Sequence, residues 1–303
     1  MLTLSAIRAA NAAAFSSHSP IAVFVGGTSG IGQSMAEAFG RHTKGNGQII
    51  IVGRNRTAAD SIIAKLPQSS SHTRPHKFVQ CDATLMRNVH AASSEILADH
   101  PKINFLVMSP GFMTTKGRDE TEEGIDRKLA VHYYARWAFI NDLMPALQKA
   151  SEDGEEAKIF SVLGAGKGAE IGVEDLGLKK SYSGRKAGLA APTYNDLMIE
   201  AFAERHPDLT FIHAFPGMVR TNILAASSTP LLKASSGILS LLTYPLSTAP
   251  EDCAEYMWHA SLNHSKDAFR TGSKGENLKT KNYFGTEEQR RKLWDHTIEA
   301  TST

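Results

Sequence analysis

The 303-residue sequence predicts one α/β domain, a doubly wound parallel sheet with helices on both faces. Three observations predict it. Short β-branched runs alternate with amphipathic helical patterns along most of the chain. The runs are apolar throughout rather than at every second residue, as expected of strands buried on both faces. A glycine-rich turn joins the first run to the first long helical pattern.

In chain order, IAVFV (Ile21–Val25) is the first strand, followed by a helix with Ile31, Met35 and Phe39 on one face. QIIIV (Gln48–Val52) is the second, and its helix carries Ala59, Ile62, Ile63 and Leu66. KFVQC (Lys77–Cys81) is the third, followed by Val89, Ala92 and Ile96 at helical spacing. INFLVM (Ile103–Met108) is the fourth, and a long helix runs from about Gly124 to Leu147. KIFSVL (Lys158–Leu163) and LTFIHAF (Leu209–Phe215) are the fifth and sixth, separated by a long helix from near Tyr182 to Arg205. Right-handed crossovers between such parallel strands give the doubly wound arrangement. Residues 20–303 are read as the domain and 1–19 as an extension that packs on it, because Leu2, Leu4, Ile7 and Ala10 recur at helical spacing. The same segment lacks acidic residues, so a transit peptide is the alternative.

Two polar or irregular stretches leave the carboxyl ends of strands, where open α/β sheets bind ligands. One is Met113–Glu123. The other, Leu224–Pro250, is read as a lid whose Ile223, Leu224, Leu231, Leu232, Ile238, Leu241 and Leu242 would face an apolar substrate or else pack on the sheet.

A net charge of +2 with no long run of one sign gives no footprint for nucleic acid. Two cysteines, Cys81 and Cys253, are too few for a disulfide framework and have no metal-ligand spacing, so a reducing, cytoplasmic compartment and no metal are expected. No stretch reaches the roughly 18 apolar residues of a membrane span.

The turn after the first strand reads VGGTSGIG. Gly26 permits the sharp exit, Gly30 lets a pyrophosphate approach the backbone, and Gly32 lets the helix pack closely. Thr28, Ser29 and Ile31 complete a turn whose helix points free N–H groups at an anion. Between a strand and a helix, such a pattern indicates a dinucleotide. The segment resembles the T-G-x-x-x-G-x-G signature of the short-chain dehydrogenase/reductase family, with Val25 in the place of Thr. The resemblance extends from about Pro20 to Cys253, and to fungal members that serve specialised metabolism. It implies that Asp82 and Ala83 contact adenine. It also implies that Pro216, Gly217, Val219 and Thr221 of PGMVRT flank the nicotinamide and phosphates, and that Pro110 and Gly111 stand where the family has N-N-A-G. Strand two ends in Gly53, Arg54, Asn55 and Arg56, without the acid that binds a ribose 2′-hydroxyl. A guanidinium suits a 2′-phosphate, so NADP(H) is the expected cofactor, with Arg54 and Asn55 as its contacts.

YSGRK supplies Tyr182 and Lys186 at the family's Y-x-x-x-K spacing, which on a helix places proton donor and ammonium on one face. From Tyr182 to Pro216 is 34 residues, against about 30 in the family, a difference of one helical turn. That predicts either a helix one turn longer at its start, with Tyr182 further from the nicotinamide, or an irregular turn or insertion that restores the geometry. The family's strand-five serine is matched by Gly164, with Ser161 inside the strand, and its helix asparagine by His132. His132 could titrate near neutral pH and replace part of a proton relay, or be a locally bonded core histidine. The resemblance also implies pairing into a homodimer through this helix and the Tyr182 helix, with Tyr133, Tyr134 and Trp137 in the core or interface. The expected function is an NADPH-dependent ketone or aldehyde reductase, or alcohol dehydrogenase, for a hydrophobic small molecule. The alternatives are an NADP(H)-binding sensor and a non-redox cyclase or isomerase.

Overall fold

Seven parallel strands form one sheet in the order β3-β2-β1-β4-β5-β6-β7. They are β1 (Ile21–Val25), β2 (Gln48–Gly53), β3 (Lys77–Gln80), β4 (Phe105–Met108), β5 (Lys158–Val162), β6 (Thr210–Ala214) and β7 (Asp267–Thr271). The computed structural model describes residues 2–15, 19–68, 75–225, 227 and 229–302. The order reverses direction at β1, so β1 and β4 open the crevice where such sheets take ligands.

Each strand shares its side chains between two cores. Val23 and Val25 of β1 face one layer, while Ala22 and Phe24 face the other. The first layer holds α4 (Met86–Asp99), α7 (Gly184–Arg205), α10 (Glu287–Thr301) and one long helical run. That run comprises α5 (Arg127–Leu129), a π-helical turn (Ala130–Tyr134) and α6 (Ala135–Glu152). The second holds α1 (Leu4–Ala14), α2 (Gly30–His42), α3 (Arg56–Ile63) and α9 (Pro250–Leu262). In that layer Phe15, Phe24, Phe39, Phe105 and Trp258 meet edge to face, with ring centroids 5.3–6.2 Å apart.

Helix α1 lies on α9: Asn11 donates to the Glu255 carboxylate (2.8 Å) and carbonyl (3.0 Å), and Arg8 pairs with Asp252. Of the first 20 residues, Met1 and 16–18 lie outside the described residues. Among the described residues no helix is long and apolar enough to cross a membrane. Both cysteines are buried and unbridged, and burial pushes each thiol up to about 12.

The region after β6 departs from the sequence expectation. It forms a helix, α8 (Pro230–Thr243), and a short 3-10 turn (Tyr244–Leu246). Leu231, Leu241 and Leu242, expected to face the substrate side, are 76%, 77% and 69% exposed. The helical phase explains this, because it turns Ser235, Leu239 and Thr243 inward and the leucine face outward. The side chains of Leu232 and Ile238 lie outside the described residues.

The face expected to pair two subunits is covered within the chain. Helix α10 lies across α7 and the π turn. Tyr133 Oη and Thr297 Oγ1 are 2.7 Å apart, as are Tyr134 Oη and His296 Nε2. Trp294 packs on Phe202 (4.8 Å) and Trp137 (5.3 Å), with the Arg205 guanidinium 3.8 Å from its centroid. Helix α10 therefore covers part of the α6 and α7 surface through which the resemblance pairs subunits.

Candidate active site

The glycine turn is built by close approach. Gly26 has φ +81°, and a Cβ there would stand 2.7 Å from Pro110 N. A Cβ on Gly32 would stand 2.4 Å from Ser109 Oγ and 2.5 Å from Gly26 O, so α2 can meet the β1 and β4 exits only with glycine at this position. The first turn of α2 has neither a side-chain cap on Ser29 nor an acidic residue, whereas Thr3, Asn55, Ser183 and Thr286 cap their helices. The opening N–H groups of α2 thus lack a capping side chain beside a buried, unpartnered Ser109 hydroxyl. That arrangement fits a pyrophosphate.

The other residues expected to meet a nucleotide lie at the carboxyl ends of the strands, along the same edge. Thr28 packs against Gly53 at the end of β2, and a Cβ on Gly30 would stand 3.2 Å from Thr221 Cγ2. Arg54 is exposed beside Gly53. The Asn55 oxygen is committed to capping α3 through Ala58 N (3.0 Å), which leaves only its amide N–H groups for a phosphate. Arg56 stacks on Phe78 at 4.9 Å instead. At the β3 exit Asp82 accepts from Thr84 N, with Ala83 between them. Beyond β6, Gly217 (φ +77°) fits against Ser273, and Val219 bridges to Thr248, just after the 3-10 turn.

The expected catalytic pair does not assemble. Helix α7 starts at Gly184 with Ser183 as its cap, so Tyr182 lies outside the helix and shares no face with Lys186. Burial, then the charge of Asp126 and a hydrogen bond to it, push the Tyr182 phenol up to about 12. A proton donor in this chemistry needs the opposite shift, towards neutrality. Lys186 is exposed and its Nζ donates to Ser181 Oγ at 2.5 Å. The longer helix that the 34-residue spacing allowed is not found, because α7 begins after Tyr182 and the residues before it are irregular. Lys186, 30 residues before Pro216, stands in the first turn of α7 where that spacing assigns the tyrosine.

His132 sits in the π turn and accepts from Phe112 N on Nε2 (3.3 Å), beside Gly111. Burial, with Arg136 and Lys128 nearby, lowers its pKa to about 3, so it does not titrate near neutrality as expected. Its carbonyl accepts from Asn195 Nδ2 (2.9 Å). A π turn displaces a backbone carbonyl from the helical ladder, and Asn195 of α7 takes up the displaced one. Gly164 is buried against Pro192, and its N–H donates to His213 Nε2 (3.0 Å).

Sequence reasoning missed the polar network beneath these residues. Asp196 accepts from His213 Nδ1 (2.6 Å) and pairs with Arg270 Nε (2.9 Å), and all three are at most 5% exposed. Arg270 also donates to the carbonyls of Lys279, Lys281 and Asn282. Arg136 donates to Ser161 Oγ, which donates to Asn195 Oδ1 (both 2.7 Å). The signal was available: charged and amide residues fall on helix faces and inside a strand that are otherwise apolar. Among the described residues no cluster of acids, histidines and cysteines could hold a metal.

Comparison with known proteins agrees with this geometry. A family model described as short chain dehydrogenase matches residues 20–231. Oxidoreductase AN1596 of Emericella nidulans is 39% identical over 75% of this chain and 66% of its own length. Oxidoreductase andH of Emericella variicolor is 33% identical over 84% of this chain and 74% of its own. A solved alcohol dehydrogenase from Thermococcus sibiricus, complexed with 5-hydroxy-NADP, superposes with a TM-score of 0.60 at 15% identity. The superposition covers 85% of this chain and 97% of that one, a likeness of fold.

Proposed function

This chain belongs to the short-chain dehydrogenase/reductase family, and from that premise we propose an NADPH-dependent oxidoreductase of a hydrophobic ketone or aldehyde. The observation that carries the cofactor is the uncapped start of α2 under Gly26, Gly30 and Gly32, with exposed Arg54 in place of an acid at the end of β2. When bound, NADPH supplies a hydride to the carbonyl carbon. Thr28, Ser29 and the α2 amides hold the pyrophosphate. Arg54 and the Asn55 amide hold the 2′-phosphate, and Pro110, Gly111, Pro216 and Gly217 border the nicotinamide. Phe112, Met113 (45% exposed), Met218 (49%) and Ile223 (38%) on the loops after β4 and β6 support an apolar substrate. Lys186, in the first turn of α7, is the proton donor in this reading, since Tyr182 precedes the helix and its phenol is pushed up to about 12 by burial and the charge of Asp126. The two relatives named above are fungal oxidoreductases, which supports the same broad class of role here.

The test is direct binding of both nicotinamide dinucleotides, followed by loss of absorbance of the reduced ring with a panel of apolar carbonyls. Arg54→Asp is expected to weaken NADPH at least about tenfold while leaving NADH nearly unchanged. Equal weakening of both, or none, would remove the 2′-phosphate assignment.

A second reading, an NADP(H)-binding protein without standard redox chemistry, is favoured by Gly164 in place of the serine and by Tyr182 lying outside α7. It predicts tight NADPH binding with no carbonyl turned over.

A further inference from the structure

A guanidinium lies buried between the ends of β4 and β5, and among the described residues no carboxylate pairs with it. Arg136 is 1% exposed. Its Nη1 donates to Met108 O (3.1 Å), Ser161 Oγ (2.7 Å) and Val162 O (3.1 Å), and its Nη2 to Pro110 O (2.7 Å). Among the described residues these partners are neutral oxygens, three of them carbonyls at the carboxyl ends of the two strands. The acid of the neighbouring network, Asp196, is occupied by His213 and Arg270. The ionisable neighbours do not offset the charge. His132, one turn back on the same helical run, is held neutral, and Lys128, a turn before it, is another buried cation whose Nζ donates to Thr114 O and Gly184 O. Burying a guanidinium without a counter-ion is costly, and the strand-end dipoles offset only part of that cost. Arg136 Nη2 reaches the carbonyl of Pro110, one of the residues taken above to border the nicotinamide, so the charge lies next to the position proposed for that ring.

The two redox states of that ring differ by one unit of charge: the oxidised ring is a cation and the reduced ring is neutral. We infer that Arg136 is a specificity-determining residue whose fixed charge makes this chain hold NADPH in preference to NADP+, and so operate as a reductase. The inference rests on the NADP(H) site proposed above and adds the preferred redox state and direction. Two unit charges about 10 Å apart at an effective dielectric of about 20 shift an equilibrium by about tenfold.

The experiment is titration of the full chain with NADPH and with NADP+, repeated on Arg136→Met and Arg136→Lys. The ratio of the two affinities isolates the charge, because a packing defect weakens both nucleotides alike. The unaltered chain is expected to bind NADPH at least about tenfold more tightly than NADP+. Arg136→Met should collapse that ratio about tenfold, while Arg136→Lys, which keeps the charge and loses the forked hydrogen bonds, should hold it within about threefold. Equal affinities in the unaltered chain, a preference for NADP+, an unchanged ratio in Arg136→Met, or loss of the preference in Arg136→Lys would each overturn the inference and leave the site itself standing. Should Arg136→Met fail to fold, Arg136→Gln, a polar neutral replacement, takes its place with the same expected collapse of the ratio, and an unchanged ratio there overturns the inference. Failure of both nucleotides to bind would instead overturn the NADP(H) reading, and this inference with it.

Discussion

Tyr182 and Lys186 are four residues apart in the chain and part company in space. The separation comes from Ser183, whose hydroxyl accepts from Lys186 N and starts α7 after the tyrosine rather than before it. The Y-x-x-x-K spacing was legible, but its meaning depends on a helix that includes both residues, and a serine between them is itself a strong cap. The glycine turn was easier to read, because Gly26 and Gly32 stand where close backbone approach requires them. Turnover should separate the two candidates for proton transfer. Lys186→Met is expected to lower kcat by about a hundredfold or more, whereas Tyr182→Phe should change it by less than about threefold, both at saturating NADPH. A large loss in Tyr182→Phe would restore the tyrosine to the chemistry.

At the scale of elements, the π turn and α10 are linked. The π turn rotates Tyr133 and Tyr134 so that their hydroxyls reach Thr297 and His296 of α10. His90 of α4 completes the tie, with Nδ1 2.7 Å from Asp142 and Nε2 2.9 Å from the Thr301 carbonyl. Burial opposes its protonation, but the Thr301 carbonyl and Asp142 outweigh that and hold its pKa above the ordinary histidine value. A raised folded-state pKa means the stabilisation is fully present below about pH 6.5 and is lost as pH rises through the higher folded value. Thermal melts of the unaltered chain and His90→Gln should therefore differ most at acid pH, and the gap should narrow as pH rises past the ordinary histidine value. A gap that widens with pH would contradict the assignment. The six strands and their helices were legible from periodicity, because strands buried on both faces read as unbroken apolar runs. The seventh strand, DAFRT, was not. It lies at the sheet edge with Asp267 exposed and Arg270 turned into the polar network, so its pattern is not apolar.

For the whole molecule, α10 covers part of the α6 and α7 surface from within the chain. Leu293 of α10 is 1% exposed against that face. Leu293→Ala is expected to cost about 2–5 kcal/mol in urea unfolding, as for other buried leucines. Light scattering across a range of concentrations should show no association through α6 and α7 in the unaltered chain. Self-association that appears only in the variant would identify α10 as the cover, and association through that face in the unaltered chain would contradict the fold described. None of this was legible from local pattern, since whether a helix face meets a neighbour or its own chain depends on contacts about 160 residues apart.

The placement of the indoles has a practical consequence. Trp258 lies in the aromatic cluster under α1, whereas Trp137 and Trp294 meet on the opposite side of the sheet. With three tryptophans so divided, emission from single-indole variants gives each layer its own optical reporter. Denaturation curves followed at the two colours would disclose whether the halves of the sandwich melt in concert or one after the other.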